Sequence, residues 1–132
     1  MSYPYDTHPT WPVPSLSVVV YQLESNLSTK SLTAWLDTGA DMTLMPSSQL
    51  GQIESDEVYS AYLRMHWGEP DEVAIHLVDL EIAGQRLPSI EVVADDYSDQ
   101  LLLGRNVLNK LILLLDGPQR LTNLLERRPV RF

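Results

Sequence analysis

Cysteine is absent from the 132-residue sequence, which excludes disulfides, cysteine-ligated zinc, iron–sulfur clusters and thiol catalysis, and allows a reducing compartment. Long hydrophobic runs are missing too: the longest, such as Leu111–Leu115, fall far short of a bilayer span. The first fourteen residues carry Pro4, Pro9, Pro12 and Pro14 where an export signal would have a charged start and an apolar stretch, so a soluble, cytoplasmic protein is expected. Basic residues are few, 9 against 18 acidic ones for a net charge of -9. That balance disfavours nucleic acid and anionic membrane as partners. His8, His66 and His76 lack zinc-site spacing, Ser47 and Ser48 have no evident histidine and acid partners, and no glycine-rich phosphate loop is present. Neither a metal nor a cofactor is expected.

The charge is unevenly placed. From Glu54 to Gly104 there are twelve acidic residues and only Arg64 and Arg86 as basic ones, whereas from Arg105 to Phe132 six basic residues face Asp116 and Glu126. The ordinary reading of such asymmetry is a solvated surface. Arg127, Arg128 and Arg131 are too few for a nucleic-acid-binding arm.

The length fits one domain. Residues 1–14 read as an extended, proline-rich N-terminal arm, 15–126 as the folded domain and 127–132 as a basic C-terminal tail. Within the domain, the β-branched run Leu16–Leu23, the polar turn Glu24–Lys30 and the apolar stretch Leu32–Leu36 predict a hairpin. Met45-Pro46-Ser47-Ser48 opens a short helical turn through Leu50. Val58–Trp67 and Val73–Ile82 predict a second, longer hairpin around Gly68-Glu69-Pro70, with Tyr59 and Tyr62 as packing residues. Gly84 turns the chain, Ile90–Val93 is a further strand, and Asp95–Gln100 is an acidic loop leading to Leu101-Leu102-Leu103. Asn106–Leu114 reads as a helix, and Leu111–Leu115, Asp116-Gly117-Pro118 and Leu121–Leu125 read equally well as a final hairpin; a short helix to about Lys110 followed by strand, turn and strand accommodates both. Seven to nine short strands in one small domain predict an all-β, closed or nearly closed barrel.

One constellation carries chemistry. Ala34-Trp35-Leu36-Asp37-Thr38-Gly39-Ala40-Asp41 puts a carboxylate and a hydroxyl directly after an apolar strand, with a glycine where the backbone turns. A carboxylate leaving a buried strand is costly unless donors surround it, and a small loop can aim backbone N–H groups at it. Read alone, Asp37 is equally a turn or capping carboxylate, since an Asp-Thr-Gly triplet arises by chance in roughly one or two per cent of chains this long. A second element, Leu102-Leu103-Gly104-Arg105-Asn106, follows some sixty residues later.

Together, Leu36-Asp37-Thr38-Gly39-Ala40-Asp41 and Leu102-Leu103-Gly104-Arg105-Asn106 resemble the retropepsin family, the single-domain aspartic proteases of retroviruses and their cellular and bacterial relatives. The resemblance runs from about Ser17 to Leu125, and the tail from Leu108 onward is more like the bacterial members. It implies a small acid-protease barrel with a flap hairpin and one short C-terminal helix, active as a homodimer on a peptide or protein substrate. It further implies that Asp37 is catalytic, that the Thr38 hydroxyl braces the opposite subunit's loop, and that the Gly39 carbonyl holds substrate backbone. Asp41 and Arg105 fall on a salt bridge that ties the active-site loop to the helix; if buried, loss of one member would cost about 3 kcal/mol. Ala40 stands where pepsin-like enzymes have serine, which removes one hydrogen bond to the aspartate and implies a less acidic optimum than pepsin's. The flap tip falls on Met65, His66, Trp67 and Gly68, poorer in glycine than family flaps.

Two carboxylates are needed, and the chain has one Asp-Thr-Gly: Asp116-Gly117 lacks the central residue, and Asp95-Asp96 lacks the turn. A twofold axis pairing Asp37 with its copy supplies the second. The expected function is an aspartic endopeptidase. The alternative is a catalytically inactive dimerisation or peptide-binding module on the same scaffold, motivated by the glycine-poor flap and the extra ends.

Overall fold

The computed structural model describes residues 1–64 and 69–130. The chain runs β1 (Ser2–Pro4), β2 (Ser15–Gln22), β3 (Leu32–Leu36), β4 (Thr43–Pro46), α1 (Ser47–Gln52), β5 (Glu57–Leu63), β6 (Asp71–Ile82), β7 (Gln85–Asp95), β8 (Leu101–Leu103), α2 (Arg105–Leu108), β9 (Ile112–Asp116) and β10 (Leu121–Leu125). The expected C-terminal helix is a single turn, because Lys110 N–H bonds back to the Val107 carbonyl three residues earlier and the helix closes there.

Alternation decides which side chains form the core. On β2, Leu16, Val18 and Val20 point inward and are buried, while Ser17 turns to solvent. They meet Met45, Leu80, Val92, Leu103 and Val107 from the other strands and α2. Each such side chain contributes roughly 1.5–3 kcal/mol by leaving water. The β2–β3 hairpin is real but pairs only through Ser15–Val18; from Val18 to Gln22, β2 instead pairs with β6. That change of partner closes a six-stranded barrel in the order β2-β3-β8-β4-β7-β6, back to β2. Strand β5 hangs outside the ring, paired only to β6. A separate three-stranded sheet, β1-β10-β9, ties the start of the N-terminal arm to the end of the domain.

Two local devices fix the β6–β7 hairpin. Ala83 and Gly84, both at positive φ (52° and 79°), make the two-residue turn between Ile82 and Gln85, the mirror-image turn that matches strand twist. Behind it lies Asp79, only 4% exposed. Its carboxylate accepts the Glu24 N–H (3.2 Å), the Ser89 N–H (3.0 Å) and Arg86 Nε (3.0 Å), and the Arg86 guanidinium stacks on Tyr21 at 4.1 Å. Burial pushes the Asp79 carboxyl up, and the two backbone N–H groups with Arg86 more than reverse this, holding it below the ordinary carboxylate range. Tyr59 and Tyr62, expected as packing residues, are instead 43% and 73% exposed, because β5 lies outside the barrel and has no second layer over it. Among the described residues, no helix is long and apolar enough to cross a membrane.

Asp79→Ala strands two backbone donors and a guanidinium, and is expected to lower stability by about 2 kcal/mol at neutral pH in urea denaturation. A carboxyl whose folded pKa is depressed stabilises above its unfolded value of about 3.9 and loses that contribution as pH falls through the lower folded value. The gap between wild type and variant should therefore narrow as pH drops below about 4. A gap independent of pH would contradict this account.

Candidate active site

The site is built where β8 slots between β3 and β4. Strand β3 runs parallel to β8, pairing Ala34 with Leu101 and Leu36 with Leu103, and β4 crosses β8 antiparallel at Leu44–Leu102. Residues 37–42 connect β3 to β4 and must therefore pass over the end of β8. Asp37 N–H continues the β3–β8 ladder to the Leu103 carbonyl (3.0 Å), and Ala40 N–H then closes a turn onto the Asp37 carbonyl (3.2 Å).

Gly104 is the point of closest approach. A Cβ there would collide with the Met42 carbonyl and lie 3.0 Å from the Ala40 oxygen, so only glycine lets the two segments lie against each other. Across that contact Arg105 N–H bonds the Ala40 carbonyl (2.8 Å) and Asn106 N–H bonds the Asp41 carbonyl (3.2 Å). Beneath it the fully buried Thr43 hydroxyl accepts the Gly104 N–H (3.1 Å) and donates to Asn106 Oδ1 (2.8 Å), while Asn106 Nδ2 donates to the Glu91 carbonyl (2.8 Å). The two motifs that stand out in the sequence are thus one hydrogen-bonded unit. Thr43, its centre, carries no sequence signal beyond a threonine at the start of a strand.

Asp37 is half-buried, and its Oδ1 accepts the Gly39 N–H at 3.0 Å. A side chain at Gly39 would put its Cβ 3.3 Å from that oxygen. Thr38 and Gly39 lie exposed beside it, and Ala40 offers the carboxylate no hydroxyl. Arg105 donates through Nη1 to the Thr38 carbonyl (2.8 Å) and through Nη2 to Asp41. This ion pair is not buried, the two side chains being 46% and 81% exposed; as a surface pair it is worth only about 0–1 kcal/mol, not the larger figure a buried one would carry. Met65, His66, Trp67 and Gly68, expected at a flap tip, lie outside the described residues; the strands on either side of them are β5 and β6, paired as far as Leu63–Asp71.

Two further contacts have no local sequence signature. Trp35, two residues before Asp37, donates from Nε1 to Asp6 Oδ2 (2.8 Å), and Leu36 N–H bonds the Pro14 carbonyl (3.0 Å), so the N-terminal segment is stitched to the strand that delivers Asp37. The Asp6 carboxyl is held down to about 2 by the His8 backbone N–H, the Trp35 indole and the His8 ring. On the other side of the molecule the His76 ring lies 2.8 Å from Ser55 Oγ, with its pKa lowered by burial against the opposing pull of Glu57 and Asp56. Among the described residues, no three His, Asp or Glu side chains are grouped to hold a metal ion.

Residues 23–110, more than half of the chain, match the family model described as "gag-polyprotein putative aspartyl protease". No curated protein sequence matches. Among solved structures the chain is similar to a retropepsin-like aspartic protease from Rickettsia conorii, with 16% identity and a TM-score of 0.65 over 94% of this chain and 88% of that one. It is also similar to the EIAV protease complexed with the inhibitor HBY-793, with 18% identity and a TM-score of 0.58 over 82% of this chain and 93% of that one. A third likeness is to the foamy viral protease-reverse transcriptase in complex with an RNA/DNA hybrid, with 16% identity and a TM-score of 0.54 over 74% of this chain. The match spans only 12% of that much longer protein. At such identities the structural likeness is one of fold.

Gly104→Ala should force the 40–42 loop away from α2 and cost about 2 kcal/mol or more, and Thr43→Val should cost about as much by orphaning the buried Gly104 N–H. Gly51→Ala, at an exposed helical position with open space around it, should be neutral or stabilising by up to about 1 kcal/mol. Thermal melting of the three variants checks the contrast; equal melting temperatures for all three would refute it.

Proposed function

The chain belongs to the gag-polyprotein-type aspartyl protease family and has its retropepsin-like barrel, and on that premise we propose that it is an endopeptidase acting as a homodimer, with one Asp37 from each subunit. The observation that carries the reading is the state of the Asp37 loop. Asp37 is placed by a rigid hydrogen-bonded unit, while its carboxylate takes a single bond from its own loop, at Oδ1. Thr38 is exposed beside the half-buried Asp37, and a twofold-related copy would set a second such loop against this one.

Two carboxylates at that distance cannot both ionise, so the pair holds one proton, an effect for which aspartic proteases are the standard illustration. The ionised member takes a proton from a water held between them. The protonated member gives its proton to the peptide carbonyl, and the hydroxide formed attacks the carbonyl carbon. Collapse of the tetrahedral species breaks the C–N bond, with the proton returning to the amine. The chemistry requires neither a metal nor a covalent intermediate, and its pH profile belongs to the pair. Arg105 acts at one remove, fixing the Thr38 carbonyl and so the orientation of the loop. The Gly39 carbonyl would hold substrate backbone, and the β5–β6 hairpin would carry a cover that shuts the peptide away from water.

Peptide-library digestion from acidic to neutral pH tests this. Wild type should cleave, pepstatin should inhibit, and Asp37→Asn should lower the rate by roughly a thousand-fold or more. Because each site needs two intact subunits, mixing with excess Asp37→Asn protein should reduce activity as the square of the wild-type fraction. Equal cleavage by both proteins would remove Asp37 from the mechanism, linear dilution would remove the dimer, and no cleavage by wild type would favour the inactive binding module.

A further inference from the structure

Among the described residues strand β5 ends the barrel sheet with its outer edge unpaired, and the Asp71–Ala74 part of β6 is likewise unpaired on its side away from β5; β5 is neither short nor polar. Its register with β6 sets Tyr62 opposite Glu72 and Ser60 opposite Ala74, so Ser60 and Tyr62 share the face that carries Glu72 and Ala74, while a register shift between Glu57 and Tyr59 leaves Val58 as an unpaired bulge residue outside that alternation. Val58 is 55% exposed and Tyr62 73%. An open edge with β-branched and aromatic side chains is a template for another extended chain. The same face runs into a cavity of about 370 Å³ whose wall opposite β5 and β6 is the 94–97 segment, ending in the exposed Tyr97.

The charge of that cavity selects the occupant. Asp56, Glu57, Asp71, Glu72, Asp95 and Asp96 line it, and no lysine or arginine does among the described residues. Arg64 follows β5 toward the flap end and is not part of the lining. A neutral or acidic strand laid along β5 would bring no compensating charge; a strand with Lys or Arg at alternate positions would direct them over the carboxylates and against the Tyr62 and Tyr97 rings.

We infer that the β5 edge and its adjoining cavity dock an extended basic stretch of the substrate polypeptide, outside the cleft that holds the scissile bond. This deepens the endopeptidase reading and rests on it: the surface selects substrates by a segment that is not cut. Attachment there raises the local concentration of the cleavable segment and acts on KM rather than on the chemical step.

The test uses the full chain and three peptides with one cleavage sequence: unextended, extended by four arginines through a flexible linker, and extended by four glutamines. With wild type, the arginine peptide should show a KM about ten-fold lower than the other two at equal kcat, and the advantage should vanish in 0.5 M salt. Asp56→Asn/Asp95→Asn/Asp96→Asn, all in the cavity lining and off the β5–β6 hairpin, should lose the preference while cleaving the unextended peptide as before, and Tyr62→Ser should reduce it. Cleavage of the unextended peptide reports on the protease reading, and only the difference between peptides reports on this surface. Anisotropy of a labelled arginine extension with Asp37→Asn protein measures docking without catalysis and stands even if no peptide is cut. Equal KM values, a preference that survives in the triple variant, or no salt-sensitive binding of the labelled extension would overturn the inference. Salt-sensitive self-association lost in Arg127→Ser/Arg128→Ser would assign the surface to the tail of a second copy and overturn it as well.

Discussion

The flat contact between Gly104 and the 40–42 backbone is the constraint on which the site depends. Strand β8, some sixty residues further along the chain, meets β3 and β4 there, and Arg105 adds a side-chain bond to the Thr38 carbonyl of the loop bearing Asp37. Backbone bonds from residues 105 and 106 and the buried Thr43 hydroxyl turn the contact into a small rigid block. Because that block sits on barrel strands rather than on a free loop, the carboxylate keeps its place without needing many bonds of its own. A carboxylate that is positioned by others and lightly bonded itself retains the freedom to exchange protons.

Much of this was legible in the residues. Asp37-Thr38-Gly39 and Gly104-Arg105-Asn106 stood out because glycine and short polar side chains at strand ends have few ordinary explanations. The strands around Val18, Ile75 and Val92 followed from alternation and β-branching. What escaped was every feature set by distant pairing. The β2–β6 ladder that closes the barrel, the Asp6–Trp35 bond and the Ser55–His76 contact join residues far apart along the chain, and no local pattern announces them. Tyr59 and Tyr62 depart from expectation for a related reason: an aromatic on a strand is usually covered, and whether it is depends on a layer the strand itself does not encode.

Charge is divided in the same spatial sense. Basic residues cluster beyond Gly104, around α2 and the final hairpin, whereas acidic ones concentrate on β5, the adjoining half of β6 and the 95–99 segment. Asp79 shows what a carboxylate in this region requires in order to be buried: two backbone donors and a guanidinium. Among the described residues the lining of the β5-side cavity has no lysine or arginine, so its field is directed at whatever enters from outside.

Pairing of β1 with β10 joins residues 2–4 to residues 121–123, among the longest sequence separations the molecule contains. Contacts of that span form late, since most of the intervening chain must be ordered before the two meet. On a ribosome, strand β1 emerges well before β10 and has no partner in this sheet until β10 has followed it out of the exit tunnel. Closure of the β1-β10-β9 sheet is thereby separated in time from the barrel, whose last strand, β8, precedes β9 and β10 along the chain.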